Sequence, residues 1–327
     1  MLIIPKDSES SDLLGDLLQS SSASFRKIRL YDRDVILADH HAGIDTGSLG
    51  IALTDGLTSR KFKPTPTTVQ VGDLSIGPDR LVIAAGPCAV ESRDQISAIA
   101  EDVKRSGADI LRGGAFKPRT SPYSFQGLGI QGLKLLKEAS DETGLPVVSE
   151  ILDPSQFPYF QDSVDILQIG SRNSQNFSLL KFAGTVHKPV LLKNGMGNSI
   201  NEWLGSAEYV LSGGNPDVIM CYRGIRSFEG ITRFTMDSGA IVALKEMTHL
   251  PVCADPSHPA GRRDLVEPLA LAAVAAGATM LEIEVHNDPD RALSDAEQQI
   301  TPDRFRTLSR NARDLFQLLH STSAAPF

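Results

Sequence analysis

From residue 81 onward the sequence repeats one unit eight times: a short apolar run, then a longer stretch of helical spacing. The runs lie at 81–85, 109–111, 146–149, 165–169, 189–192, 218–221, 251–254 and 280–285. Helical patterns lie between them, for example at 94–105, 132–143, 200–211 and 265–276. The runs are rich in branched side chains and nearly continuous, which marks parallel strands buried on both faces. Strands in this rhythm need crossover helices and therefore a parallel sheet. Eight of them favour an α/β fold closed into a (β/α)8 TIM barrel over 79–327, rather than an open doubly wound sheet.

Barrels of this class place their chemistry at the C-terminal ends of the strands. Each run here is followed closely by polar or ionisable residues: Cys88, Arg112, Glu150, Arg172, Lys193, Arg223, Asp255 with His258, and Glu284 with His286. A buried unpaired charge is costly, so charges converging on one rim need partners or ligands. A salt-bridge network explains any one of them more readily than all of them. The basic residues form the larger set: Arg112, Lys117, Arg119, Arg172, Lys193, Arg223, Arg226, Arg262 and Arg263. They sit in a chain whose 32 basic and 40 acidic residues leave a net charge of −8. That balance disfavours nucleic acid and anionic membranes as partners. A local cluster of guanidinium forks suits phosphate and carboxylate instead. Its size fits two phosphorylated substrates, or one substrate with several anionic groups.

Cys88, His258, Glu284 and Asp295 form a second set. They follow the first and the last two runs, which become neighbours once the barrel closes. Mixed sulfur, nitrogen and oxygen donors suit Mn²⁺, Fe²⁺, Co²⁺ or Zn²⁺ rather than Mg²⁺. Taken alone, Cys88 would read as a small buried hydrophobe and His258 equally as a core histidine. Cys221 and Cys253 fall inside runs and read as core packing. Three cysteines at this spacing give neither a disulfide scaffold nor a CxxC zinc site, and a reduced cytoplasm is the expected compartment. No apolar stretch approaches the ~18 residues of a membrane span. Residues 127–132 match G-x-G-x-x-G but follow a loop rather than a strand, so a dinucleotide site is not expected. His40, His41, His187 and His249 show no partners and read as surface or loop residues.

The first 60 residues differ from the rest. Strands are expected at 2–4, 25–30 and 34–38 and a helix at 11–18, followed by an irregular stretch over 42–59. Residues 61–68, rich in Lys, Pro and Thr, read as a linker. Alternation around Gly72-Asp73 predicts a hairpin over 69–76, placed to cover the N-terminal mouth of the barrel. The expected organisation is an N-terminal extension over 1–60, a linker and hairpin over 61–78, and a catalytic barrel over 79–327.

Several motifs point to one family. They are Ala85-Gly86-Pro87-Cys88-Ala89-Val90-Glu91-Ser92, then Leu111-Arg112-Gly113-Gly114-Ala115-Phe116-Lys117-Pro118-Arg119-Thr120-Ser121-Pro122, and Gln168-Ile169-Gly170-Ser171-Arg172-Asn173. Leu192-Lys193-Asn194-Gly195, Asp255-Pro256-Ser257-His258, Gly261-Arg262-Arg263-Asp264 and Glu284-Val285-His286 follow in order. From about residue 60 to 320 the chain resembles the type I-beta group of 3-deoxy-D-arabino-heptulosonate 7-phosphate (DAHP) synthases. The resemblance implies condensation of phosphoenolpyruvate with D-erythrose 4-phosphate and water, the entry step to the shikimate pathway.

It also implies roles for particular residues. Cys88, His258, Glu284 and Asp295 match metal ligands. Arg112, Lys117, Arg172, Lys193 and Arg223 match phosphoenolpyruvate contacts, and Arg119 and Thr120 match those receiving the aldehyde's phosphate. Ser171 and Asp255 join the substrate-binding set. Glu150 matches a carboxylate near the site of water attack, so Cys88, Lys117, Glu150 and His258 form the expected catalytic set. The expected assembly is a homo-oligomer, dimer or tetramer, with chorismate mutase as a candidate partner; no mutase bundle is fused to the chain. The related synthase of 3-deoxy-D-manno-octulosonate 8-phosphate is the main alternative. It typically carries Lys-Ala-Asn-Arg-Ser-Ser where this chain has Lys117-Pro118-Arg119-Thr120-Ser121. A non-catalytic barrel partner of the mutase and a metal-dependent phosphohydrolase are further alternatives. Regulated members of the group carry a βαββαβ sensing unit. The 42–60 stretch shows neither its second helix nor its fourth strand, so a degenerate ferredoxin-like unit and weak or absent feedback inhibition are expected.

Overall fold

The computed structural model describes residues 1–39 and 45–322. His40, His41 and part of the irregular 42–59 stretch lie outside the described residues. The chain opens with β1 (Leu2–Pro5), α1 (Ser8–Ser20), β2 (Phe25–Leu30), β3 (Arg33–Ala38) and β4 (Gly50–Leu53). Asp7 caps α1 by accepting from Ser10 N, leaving the helix to bury Leu14 and Leu18 against Ile3 and Ile36. The four strands form an antiparallel sheet in the order β2-β3-β1-β4. The expected absence of a fourth strand is therefore corrected. β4 pairs with β1 from Leu2↔Leu53 to Pro5↔Gly50. Its residues are half-buried or exposed and lack alternation, so the strand owes its place to backbone pairing rather than to a buried face. Among the described residues no second helix lies between β3 and β4.

The other face of this sheet meets the barrel, where Leu2, Leu30 and Val35 join the main apolar cluster. Residues 61–68 pack rather than swing free. Phe62 is buried, and Thr67 N donates to the His249 carbonyl at 2.7 Å. His249 lies in a loop, as expected, but is only 1% exposed, which corrects its reading as unpartnered. Its Nδ1 lies 2.8 Å from Thr67 Oγ1 and its Nε2 2.8 Å from the Leu57 carbonyl. Those partners are 182 and 192 residues away in sequence, where no local pattern could reveal them. Burial pushes the imidazole down to about 4.

The hairpin β5 (Val69–Val71) and β6 (Leu74–Ile76) turns at Gly72-Asp73. Gly72 takes the positive φ such a turn requires. Eight parallel strands then close into a barrel: β7 (Val82–Gly86), β8 (Ile110–Arg112), β9 (Val147–Glu150), β10 (Ile166–Ile169), β11 (Val190–Lys193), β12 (Val218–Tyr222), β13 (Val252–Ala254) and β14 (Met280–Glu284). The main helices are α2 (Arg93–Arg105), α3 (Ile130–Thr143), α4 (Phe157–Phe160), α5 (Phe177–Ala183), α6 (Ile200–Ser212), α7 (Ser238–Met247), α8 (Ser257–Ala260), α9 (Arg263–Ala275) and α10 (Pro302–Thr322).

Each barrel strand has two buried faces. Ile83, Leu111, Val147, Leu167, Val190 and Ile283 point out to the helices. Val82, Ile110, Val148, Ile166, Leu191 and Met280 point in, where Val69, Val71 and Ile76 of the hairpin pack against them. The hairpin thus stoppers the N-terminal mouth. With period two along a strand, the next inward residues are Arg112, Glu150, Gln168, Lys193 and Glu282.

Candidate active site

Above the apolar layer a cavity of about 260 Å³ opens at the C-terminal ends of the strands. Arg112, Lys117, Arg119, Thr120, Glu150, Ser171, Arg172, Lys193, Arg223, His258 and Asp295 all line it, as do Arg233 and Phe234. Three members of the expected sets do not: Cys88, Glu284 and Asp255 are buried behind its wall. Asp255, expected to join the substrate-binding set, bonds two residues that do line the cavity, Lys193 and His258. Arg262 and Arg263 pair instead with Asp264 and Asp290 on the surface.

Asp255 sits just past β13. One of its oxygens, Oδ2, accepts both from Lys193 Nζ at 2.6 Å and from His258 Nδ1 at 2.6 Å. The other accepts from the His258 backbone N–H at 3.1 Å, fixing the start of α8. Burial acts to raise its carboxyl, but His258 and Lys193 outweigh burial and hold it well below the usual range. With Nδ1 engaged by Asp255, Nε2 is the ring nitrogen left to face other groups. That nitrogen stands 3.9 Å from Glu284 Oε1 and 3.9 Å from Asp295 Oδ2.

Donor atoms of Cys88, Glu284 and Asp295 lie within 4.8 Å of one another. The Cys88 sulfur is 3.4 Å from Asp295 Oδ2, 3.2 Å from Ser294 Oγ and 3.1 Å from Lys117 Nζ. Burial pushes its thiol up to about 12. Glu284 Oε1 is buried with no hydrogen bond, while its Oε2 accepts from Gln298 Nε2 at 2.7 Å. A buried carboxylate oxygen with no hydrogen bond, only a 3.5 Å ion pair to Arg112 Nη1, that faces a thiol, an imidazole and a second carboxylate fits a divalent cation. The surrounding loop is built to present these donors. Gln299 accepts from Cys88 N at 2.9 Å, and Arg233 donates to Asp295 and to Gln298. Asp295 itself takes a left-handed backbone, φ +49°, which few non-glycine residues adopt.

The cationic side of the cavity has a floor and a rim. Arg223 lies on the floor with its guanidinium 3.8 Å from the Phe234 ring centroid. Its Nη1 is buried without a partner, and burial pushes it down to about 10. A buried guanidinium nitrogen without a partner suits an anion. At the rim, Arg172 reaches Thr120 Oγ1 at 3.4 Å and Arg119 bonds Ser294 Oγ. Glu150 packs beneath Gly170, where a Cβ would stand 1.9 Å from its Oε1. Burial raises the Glu150 carboxyl despite Lys117, Lys193, His258 and Arg172.

Sequence reading missed Glu282, Arg233, Gln298 and Gln299. The last three sit in loops whose paths follow from the closed barrel. Glu282 did carry a signal, a carboxylate in mid-strand two residues before Glu284. Residues 127–132 lead from a loop directly into α3, the loop context expected from the sequence. Among the described residues no helix is long and apolar enough to cross a membrane.

The sequence model of the DAHP synthetase I family matches residues 61–321. A phospho-2-dehydro-3-deoxyheptonate aldolase of Thermotoga maritima is 48% identical over 263 residues, covering 80% of this chain and 78% of that protein. A 2-dehydro-3-deoxyphosphooctonate aldolase of Syntrophobacter fumaroxidans is 30% identical, covering 77% of this chain and 92% of its own. The crystal structure of the DAHP synthase of Thermotoga maritima superposes with a TM-score of 0.80 at 40% identity, covering 97% of each chain. A truncated form of 3-deoxy-D-arabino-heptulosonate 7-phosphate synthase from the same organism gives 0.75 at 44% identity, over 80% of this chain and 97% of its own.

Proposed function

This chain belongs to the DAHP synthetase I family, and on that premise we propose that its cavity joins phosphoenolpyruvate to D-erythrose 4-phosphate and water, releasing DAHP and phosphate. The enzyme is a transferase that forms a carbon–carbon bond at the entry to aromatic biosynthesis. The observation that carries the substrate reading is the cationic cavity itself. Four cations stand at its floor, Arg112, Lys117, Lys193 and Arg223, and two at its rim, Arg119 and Arg172; a further one, Arg233, is paired with Asp295.

The floor set receives the carboxylate and phosphate of phosphoenolpyruvate, with Arg223 Nη1 as an open donor. Arg119 and Thr120, helped by Arg172 and Ser171, take the phosphate of the aldehyde at the rim. Holding two anions face to face removes the repulsion and disorder that oppose their encounter in water. The nucleophilic carbon of phosphoenolpyruvate then adds to the aldehyde carbon. Water adds to the electron-poor carbon left behind, and phosphate departs with cleavage of its bond to carbon. Glu150, whose carboxyl burial raises above its ordinary value, serves that water.

Cys88, His258, Glu284 and Asp295 would hold a divalent cation, with Mn²⁺, Fe²⁺, Co²⁺ or Zn²⁺ suited to the mixed donors. When bound it supplies Lewis acidity toward the aldehyde carbonyl. Asp255 keeps His258 in the tautomer that can ligate. Exposed Tyr123, Phe228 and Ile231 support a homo-oligomer. Three buried free cysteines fit a reducing cytoplasm.

The test is phosphate release from phosphoenolpyruvate with erythrose 4-phosphate, with arabinose 5-phosphate, and with no aldehyde, each with and without chelator. The reading expects release only with the four-carbon aldehyde and only without chelator. Preference for arabinose 5-phosphate would move the assignment to the octulosonate enzyme. Release without aldehyde would make the protein a phosphohydrolase.

A further inference from the structure

We propose that Glu282 is a positioning residue whose two carboxylate oxygens hold Arg112 and Lys193 in the pose that receives phosphoenolpyruvate. The proposal rests on the substrate reading above. Glu282 lies in the middle of β14 and is 1% exposed. Its Oε2 stands 2.7 Å from Lys193 Nζ on β11, and its Oε1 accepts from Arg112 Nε on β8 at 3.3 Å. One side chain thus ties together two cations from separate strands, and both cations line the cavity floor.

Arg112 and Lys193 pair with three carboxylates. Lys193 also touches Asp255 Oδ2 at 2.6 Å, and Arg112 Nη1 stands 3.5 Å from Glu284 Oε1. Asp255 is committed to His258, and Glu284 belongs to the donor set of the candidate metal site. Glu282 touches no member of that donor set; besides the two cations it accepts a weak bond from Cys221 Sγ at 3.8 Å. Burial acts to raise its carboxyl, yet Lys193 and Arg112 outweigh burial and keep it low. Without Glu282, Lys193 would turn wholly to Asp255 and Arg112 to Glu284. Both cations would then be drawn away from an incoming anion, which would have to loosen those existing pairs first. A buried ion triad is a weak source of stability, so its presence beneath a binding floor points to orientation. Arg112 has its guanidinium plane set by bonds to Glu282 and to the Pro87 carbonyl, which leaves a defined edge for the ligand.

The experiment measures phosphoenolpyruvate binding to the full-length protein by calorimetry without aldehyde, then the KM of each substrate, for the parent, Glu282→Gln and Glu282→Asp. The amide of Gln can accept from one cation while its NH₂ repels the other. Asp keeps the charge but is too short to span both. For Glu282→Gln, the Kd and KM for phosphoenolpyruvate should rise about tenfold or more, the range of orienting partners. The KM for erythrose 4-phosphate should stay within about twofold. Glu282→Asp should show a smaller rise of the same kind, and it decides the question if the Gln variant does not fold. A parent protein that binds no phosphoenolpyruvate overturns the substrate reading itself. Binding by the parent, matched by every folded variant, overturns only the role of Glu282. So does a lower melting temperature with both substrate constants unchanged, or an equal rise in both.

Discussion

The two ends of the barrel differ within two residues of the same strands. Toward the N-terminal mouth, Ile110, Val148, Leu191 and Met280 face inward and meet the hairpin. Two residues on, about 7 Å along each strand, the same faces carry Arg112, Glu150, Lys193 and Glu282. The lower layer is packed and apolar; the upper is an ionic network around a cavity. Period-two geometry lets one strand serve both, so stability and chemistry can be altered separately. Substitutions at the upper end should damage activity and spare the fold, and those at the lower end the reverse.

The largest effect belongs to the upper end. His258→Ala removes the oriented imidazole and leaves Asp255 without one of its two strong donors. Turnover should fall on the order of 10²–10³-fold or more. Stoichiometric Mn²⁺ or Co²⁺ binding, followed by equilibrium dialysis, should be lost as well. Circular dichroism should match the parent, because the apolar layer is untouched. Retained metal binding with full turnover would sink the donor assignment.

At the lower end, Ile76→Ala should lower unfolding stability by about 2–5 kcal/mol, the range for a large-to-small change in a packed core. Its side chain is fully buried against the barrel interior. The kcat/KM of the folded protein should be unchanged. A drop in kcat/KM with unaltered denaturation would mean that the two ends are coupled.

His249 offers a pH-dependent form of the same contrast. Its folded-state value, about 4, lies below the ordinary 6.5, so the unfolded chain takes up the proton first. The stabilisation is complete above pH 6.5 and is lost as pH falls toward 4, up to about 3 kcal/mol. Chemical denaturation at pH 7 and pH 5 should show this loss, and His249→Asn should show less of it. Equal slopes in the two proteins would remove His249 from the account.

The barrel was legible because eight buried strands impose eight apolar runs, and those runs survive any loop variation. The candidate site was legible for the same reason, since charged residues directly after buried runs are conspicuous. Legibility failed where partners lie far apart in sequence. His249 looks unpartnered until residues 57–67 are folded across the N-terminal side of the barrel. β4 has no apolar alternation and exists because β1 offers it a free edge. Asp255 has the charge and place of a substrate contact, but its side chain turns behind the cavity wall to Lys193 and His258. Glu282 was readable in principle: a carboxylate at an inward mid-strand position must find a cation.

A smaller effect is expected at the rim, where contacts are partly open to solvent. Arg119→Ala removes a charge-assisted contact worth about 1.5–3 kcal/mol. The KM for erythrose 4-phosphate should rise roughly tenfold or more, with a lesser change for phosphoenolpyruvate. Equal damage to both substrates would show that floor and rim do not divide as described.

The smallest effect should come from removing the four-stranded unit. The sheet touches the lower, apolar end of the molecule through Leu2, Leu30 and Val35, and Tyr31 donates to the Pro216 carbonyl. None of these residues lines the cavity. The cut must spare the segment just after β4, which is bonded to the barrel. Leu57 N and Thr58 N donate to Glu208, and the Leu57 carbonyl meets His249. Arg60 donates to the Lys245 carbonyl. Deleting residues 1–53 should therefore leave kcat/KM within about twofold, with lower solubility from the uncovered apolar face. Deleting 1–60 should also lower the melting temperature, because it leaves Glu208 and His249 with unmet hydrogen bonds. If the 1–53 deletion lost activity while keeping its melting temperature, the sheet would be acting on the distant cavity, and the two ends of the barrel would no longer be independent.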